Sequence, residues 1–114
     1  PIGPKTIPYW DAFTKKYGHT PGAYTNFATY DGLYILAEAI KKTGGLDSDK
    51  LVKALEGMEY SGVSGRIKFG KNHDPEAGAE FLPFTYVQWN KGEPVTVWPP
   101  AMKTGEFVPP SWIK

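Results

Sequence analysis

The chain has 114 residues, with 13 Lys and Arg against 12 Asp and Glu. The resulting formal net charge of +1 offers no dominant field for nucleic acid or an anionic membrane. No cysteine is present, which excludes a disulfide scaffold, thiolate metal ligands and a thiol nucleophile.

Aromatic residues reach 15%, and 11 Pro and 13 Gly punctuate the chain. That mix suits a body of one-domain size with many turns and large flat side chains to bury. No apolar run approaches the ~20 residues that a membrane helix needs. The opening Pro1-Ile2-Gly3-Pro4-Lys5 has no basic start followed by an apolar run. The chain therefore reads as a mature chain, a processed product or a fragment.

Residues 1–7 are rich in Pro and Gly and read as an entering loop. A first helix is predicted from Pro8 to Tyr17, with Thr6 or Ile7 as its cap. Pro8 suits the first turn, where its missing N–H has no partner to lose. Tyr9, Phe13 and Tyr17 recur every four residues and share one face. Gly18 is the natural stop. After a turn at His19-Thr20-Pro21-Gly22, a second helix is predicted from Asn26 to Lys42. Its apolar stripe is Tyr30, Leu33, Tyr34, Ala37 and Ile40, widened by Phe27, Leu36 and Ala39. A stripe that wide implies cover on more than one side. Lys41 and Lys42 sit where the helix dipole favours cations, and Gly44-Gly45 ends the element. Asp47 or Ser48 opens a third helix to Glu56, with Leu51, Val52 and Leu55 inward and Gly57 as terminator.

The period then changes. Gly62-Val63-Ser64-Gly65 reads as a tight turn; it lacks the Lys-Ser/Thr ending of a phosphate loop. Arg66-Ile67-Lys68-Phe69 alternates polar and apolar as a half-buried strand does. A polar loop follows from Gly70 to Gly78. Phe84–Trp89 and Val95–Trp98 read as strands joined by a hairpin through Asn90-Lys91-Gly92-Glu93. Pro94 belongs at a strand edge, where its missing donor is tolerated. From Pro99 the chain is Pro-rich and aperiodic. The predicted class is α/β: three helices followed by a strand and a β-hairpin.

Few side chains suggest chemistry. His73-Asp74 resembles half of a proton relay, but none of Ser48, Ser61, Ser64 or Ser111 lies in a strand–turn–helix elbow. A surface loop explains the pair better, since Asx residues before Pro favour turns. Asp74, Glu76 and Glu80 lack the spacing of a calcium loop. Lys15-Lys16 and Lys41-Lys42 fall at helix C-termini and need no nucleic-acid partner. No catalytic residue, metal ligand or cofactor is expected. The most suggestive stretch is Tyr24-Thr25-Asn26-Phe27, at the start of the longest helix. Free N–H groups there attract carboxylates, and the aromatic rings can stack on a flat solute. The competing reading makes Tyr24 and Phe27 core and Asn26 a cap.

Several segments together resemble one family. Tyr17-Gly18-His19-Thr20-Pro21, then Ala28-Thr29-Tyr30-Asp31-Gly32-Leu33, then Leu36-Ala37-Glu38-Ala39-Ile40-Lys41-Lys42 look like the helix region of branched-chain amino acid-type periplasmic binding proteins. Gly62-Val63-Ser64-Gly65-Arg66-Ile67-Lys68-Phe69 is similar to a strand of that family. Tyr86-Val87-Gln88-Trp89-Asn90-Lys91-Gly92-Glu93, with Val95-Thr96-Val97-Trp98-Pro99 and the stretch Gly105 to Trp112, is similar to its ending.

The resemblance implies a two-lobed α/β fold, joined by three crossing strands, of which this chain is the C-terminal portion. Residues 1–83 would complete the first lobe. Residues 84–114 would hold the third crossing strand at Phe84–Trp89, the hairpin and the tail of the second lobe. It implies the solute-binding component of an ABC importer, in the periplasm or at the cell surface. Such a protein closes around a small amino acid-like or carboxylate ligand, aromatic acids included, and delivers it to a membrane permease. No enzyme activity is implied. The implied partners are the solute, the permease, and the remainder of the parent polypeptide or a swapped copy. Tyr24, Asn26 and Phe27 are the positions carried over as ligand-binding; Tyr30 and Asp31 are read as packing and helix-start residues. Two rival readings are a ligand-sensing receptor module on the same fold and a small stand-alone enzyme.

Overall fold

Four-residue spacing decides what the longest helix buries. In the computed structural model, which describes residues 2–22 and 24–113, the helices are α1 (Thr6–Tyr17), α2 (Tyr24–Thr43) and α3 (Ser48–Glu56). The strands are β1 (Glu59–Ser61), β2 (Arg66–Lys68), β3 (Tyr86–Asn90) and β4 (Glu93–Trp98). The class is mixed α/β, with three helices and two small antiparallel sheets among the described residues. Pro1 and Lys114, at the ends of the predicted loop and tail, lie outside the described residues. The chain divides into two compact units, Pro1–Pro83 and Phe84–Lys114.

In the first unit, α2 buries Asp31, Ile35 and Ala39, which stack on one face. This corrects the predicted stripe. Tyr30, Leu33 and Tyr34 lie on the exposed side, Leu33 at 67%. The helix is apolar nearly all round, and this chain covers the 31-35-39 side. Asp31 is therefore not a helix-start residue: it is the eighth residue of α2 and fully buried. Asn26 is likewise inside the helix and not its cap. Helix α3 packs on α2. Asp47 caps it as expected, accepting the Lys50 N–H at 3.0 Å. Of the predicted inward set, Val52 is exposed, and Ala54 is buried in its place.

Helix α1 starts two residues before the expected Pro8, at Thr6, which is a helical residue and not the cap. The cause is a local turn. The Gly3 N–H donates to Thr6 Oγ1 at 3.0 Å, and the Thr6 N–H donates to the Gly3 carbonyl at 3.2 Å. Gly18 ends α1 at φ 74°, donating its N–H to the Thr14 carbonyl. Tyr9, Phe13 and Tyr17 form a continuous aromatic row, with centroids 5.9 and 4.6 Å apart.

Strand β1 is an addition to the predicted layout. Glu59–Ser61 pairs antiparallel with β2, Tyr60 opposite Ile67. The turn Gly62–Gly65 closes this hairpin, the Gly62 N–H reaching the Gly65 carbonyl at 2.8 Å. Three residues carry too short a pattern for alternation to declare a strand. Arg66 and Glu59 form an exposed cross-strand ion pair.

In the second unit, β3 and β4 pair around Lys91 and Gly92, at φ 51° and 86°. Two successive left-handed residues make the turn whose twist matches a hairpin. Asn90 faces Glu93 and Trp89 faces Pro94. Pairs alternate between bonded and non-bonded, so Pro94 turns its nitrogen away from β3 and costs no ladder bond. Thr96 likewise faces outward and exchanges bonds with Thr104: N–H to Oγ1 at 2.9 Å, and the Thr104 N–H to the Thr96 carbonyl at 2.8 Å. The Gln88 side-chain amide mimics a strand, donating to the Val108 carbonyl at 2.7 Å and accepting the Val108 N–H at 2.9 Å. The aperiodic tail is thus fastened by polar pairing, which hydrophobic periodicity does not register.

A Cβ built on Gly62 would lie 2.5 Å from Asp31 Cγ, inside any real contact distance. Gly62→Ala should therefore lower stability by about 2–3 kcal/mol. Urea unfolding followed by circular dichroism checks this; an unchanged midpoint would show that the loop yields freely.

Candidate functional site

The three carried-over residues sit in the first two turns of α2, and the helix aims them apart. Tyr24 is 80% exposed, Asn26 and Phe27 half-buried. Phe27 packs against α1, its ring 5.4 Å from Tyr9 and stacked on Trp10 at 6.3 Å. The Asn26 carbonyl accepts the Tyr9 hydroxyl at 3.3 Å. The competing core reading of the sequence holds in part for Phe27 and fails for Tyr24.

Two concavities flank this end of the helix, both within the first unit. The larger, of 720 Å³, runs between α1 and α2; Tyr9, Phe13, Tyr17, Asn26, Tyr30 and Leu33 are among its walls. Lys5 and Lys16 also line it, and no carboxylate does. The smaller, of 390 Å³, is nearly all apolar and includes Tyr24, Phe27, Ile35, Val63, Ile67 and Leu82. Tyr24 and Phe27 thus share one groove, while Asn26 faces the other. Both volumes fall in the range of small-molecule sites.

Both grooves share Val63, and its loop is set by one carboxylate. The Val63 N–H donates to Asp31 Oδ1 and the Ser64 N–H to Asp31 Oδ2, each at 2.8 Å. Asp31 is 0% exposed and forms no ion pair among the described residues. Two successive N–H groups aimed at one anion form a small backbone nest. Here the protein's own carboxylate fills it. The Thr6 hydroxyl in turn donates to the Val63 carbonyl at 2.9 Å. Sequence reasoning missed this junction. A signal existed: Asp31 is a lone charge on the 27-31-35-39 row, and a buried charge must be matched by donors.

His73 Nε2 lies 3.0 Å from Glu56 Oε1, with both side chains exposed. Asp74 instead accepts from Asn72 Nδ2 at 2.8 Å, so His73 and Asp74 do not form a relay. No group of three His, Asp or Glu side chains is placed to hold a metal ion among the described residues. The Ser64 Oγ is buried without a hydrogen-bond partner. Hydrogen bonding to Tyr34, then burial, push the Tyr30 phenol up to about 12. No helix among the described residues is long and apolar enough to cross a membrane.

A family model described as periplasmic binding protein matches residues 3–93. The Leu/Ile/Val-binding protein homolog 7 of Brucella melitensis is 29% identical over 97 residues, 85% of this chain and 24% of that protein. The homologs of the same name from Brucella abortus and Brucella suis match at the same 29% and the same coverage. The chain therefore spans about a quarter of the length of these curated relatives, 24%.

The raised Tyr30 phenol yields an alkaline signature. Its neutral form is favoured in the folded chain, so the stability it contributes is whole below the unfolded value of 10.0. That contribution is lost as pH rises from there through about 12. Thermal melts across this window should fall less steeply for Tyr30→Phe than for the parent sequence. Identical slopes would show that Tyr30 titrates like a free phenol.

Proposed function

We propose a solute-capturing role from one premise: this chain belongs to the periplasmic binding protein family, whose model spans residues 3–93. In this reading the chain is the C-terminal portion of a two-lobed binding protein. Residues 1–83 complete the first lobe; residues 84–114 supply the third crossing strand, the hairpin and the tail of the second. The protein works in the periplasm or at the cell surface, closes on its solute and hands it to the permease of an ABC importer. Binding favours the closed arrangement through contacts that the open one lacks, and no covalent step is involved. The solute is a small amino acid-like compound or carboxylate. The Leu/Ile/Val-binding names of the Brucella relatives support that class.

The observation that carries the reading is the start of α2. Tyr24 holds a large ring in solvent at 80% exposure, and Phe27 stands one turn along on the same apolar groove. An exposed aromatic on a rigid helix is an inexpensive ligand platform, because few torsions are frozen on binding. Tyr24 and Phe27 meet the apolar body of the solute, and Asn26 offers an amide beside them.

Isothermal titration of the parent polypeptide with aliphatic and aromatic amino acids tests this. Tyr24→Ala and Phe27→Ala should each weaken affinity about ten-fold, or about 1.4 kcal/mol, while the melting temperature of Tyr24→Ala stays near that of the parent. The 114-residue chain alone should bind weakly, because the rest of the cleft lies elsewhere. Unchanged affinity in both variants, or tight binding by this chain alone, would overturn the assignment.

A further inference from the structure

One side chain of α1 ties down the start of α2. The Tyr9 hydroxyl donates to the Asn26 carbonyl at 3.3 Å. In a helix that carbonyl also receives the N–H four residues on, here that of Tyr30, and its second lone pair serves Tyr9. The Tyr9 ring spans the same turn. Its centre lies 5.4 Å from that of Phe27 and 4.7 Å from that of Tyr30, tilted at 57° to each. Trp10 adds a second ring, stacked on Phe27 at 15°. Phe27 is thus gripped by two consecutive residues of α1. Burial, then the charges of Tyr17 and Asp31, push the Tyr9 phenol up, so it stays a neutral donor at physiological pH.

These contacts reach the candidate site from behind. Phe27 borders the smaller groove with Tyr24, whereas Tyr9 lines the larger groove alone and Trp10 neither. A solute resting on Tyr24 and Phe27 in the smaller groove would meet Tyr9 only through Phe27. We infer that Tyr9 is a positioning residue for this site: its ring and hydroxyl hold the first turns of α2 against α1, so that Phe27 presents one orientation to the solute. The inference rests on the reading of Tyr24 and Phe27 as the ligand platform. The hydroxyl is the distinctive part. Ring packing alone does not need it, and Phe13 continues the same aromatic row without one. Tyr9 carries the additional atom that reaches the main chain of α2. A ring fixed before the solute arrives loses little freedom on binding, and that saving appears as affinity.

Tyr9→Phe in the parent polypeptide removes the tether and keeps the ring. Amide hydrogen exchange at Tyr30, whose N–H closes the tethered turn, should run about five-fold faster, while Leu55 in α3 changes less than about two-fold. Isothermal titration with leucine and with phenylalanine should show affinity lowered about five-fold. In a Phe27→Ala background the same substitution should lower it less than about two-fold, because the ring that Tyr9 positions is gone. Three results would each overturn the inference. One is unchanged exchange at Tyr30. Another is unchanged affinity in Tyr9→Phe when Phe27→Ala does weaken binding. The third is a loss that is as large without Phe27 as with it. If neither amino acid binds, or if Tyr24→Ala and Phe27→Ala both leave affinity unchanged, the ligand-platform reading itself falls. Faster exchange at Tyr30 would then leave the tether standing as a purely structural contact.

Discussion

A single buried carboxylate joins the elements of the first unit. Asp31 sits on the inward row of α2, and an anion there is tolerated only if hydrogen bonds replace its water. The Val63 and Ser64 N–H groups do so at 2.8 Å. Those same bonds fix the turn between β1 and β2, and the Val63 carbonyl receives the Thr6 hydroxyl at the start of α1. Val63 thus donates to one helix, accepts from another and buries its own side chain between them. Gly62 is held to glycine by the same carboxylate, which leaves no room for a Cβ. Loss of either donor would leave half of a buried charge unmatched, a cost of about 1–3 kcal/mol or more.

That junction also sets what the start of α2 can present. With the Asp31 face clamped inward, Tyr24 and Phe27 border the smaller groove and Asn26 the larger one. Phe27 is steadied by Tyr9 and Trp10, whereas Tyr24 meets solvent. The lysines of the larger groove engage rings: Lys5 Nζ lies 4.6 Å from the centre of Tyr60 and Lys16 Nζ 5.3 Å from that of Tyr17. Together the two grooves present aromatic rings, an amide and cations. Membership of a family of binding proteins fits that chemistry.

Much of the layout was legible from residue order. Four-residue spacing gave the Tyr9-Phe13-Tyr17 row, Gly18 its stop, Asp47 the cap of α3, and Asn90–Glu93 the hairpin, because each depends on neighbours close in sequence. The start of α1 was misjudged by two residues, since the Gly3–Thr6 turn acts before the apolar periodicity begins. Strand β1 escaped notice because three residues hold no readable alternation. The inward face of α2 was misassigned for another reason: a helix apolar nearly all round gives no moment to choose a side. The candidate residues were found by their place at a helix start, but their split between two grooves could not be foreseen.

By itself, then, the sequence determined the helices, the second hairpin and the family resemblance, all of which rest on local spacing and residue type. It also excluded thiol chemistry and a strongly basic surface, which follow from composition alone. Only the tertiary structure decided which face of α2 turns inward, and that Asp31 belongs to a junction 32 residues distant at Val63. The physical reason is that a buried charge is matched by donors brought near through folding. Linear order carries no record of which distant backbone N–H groups those are.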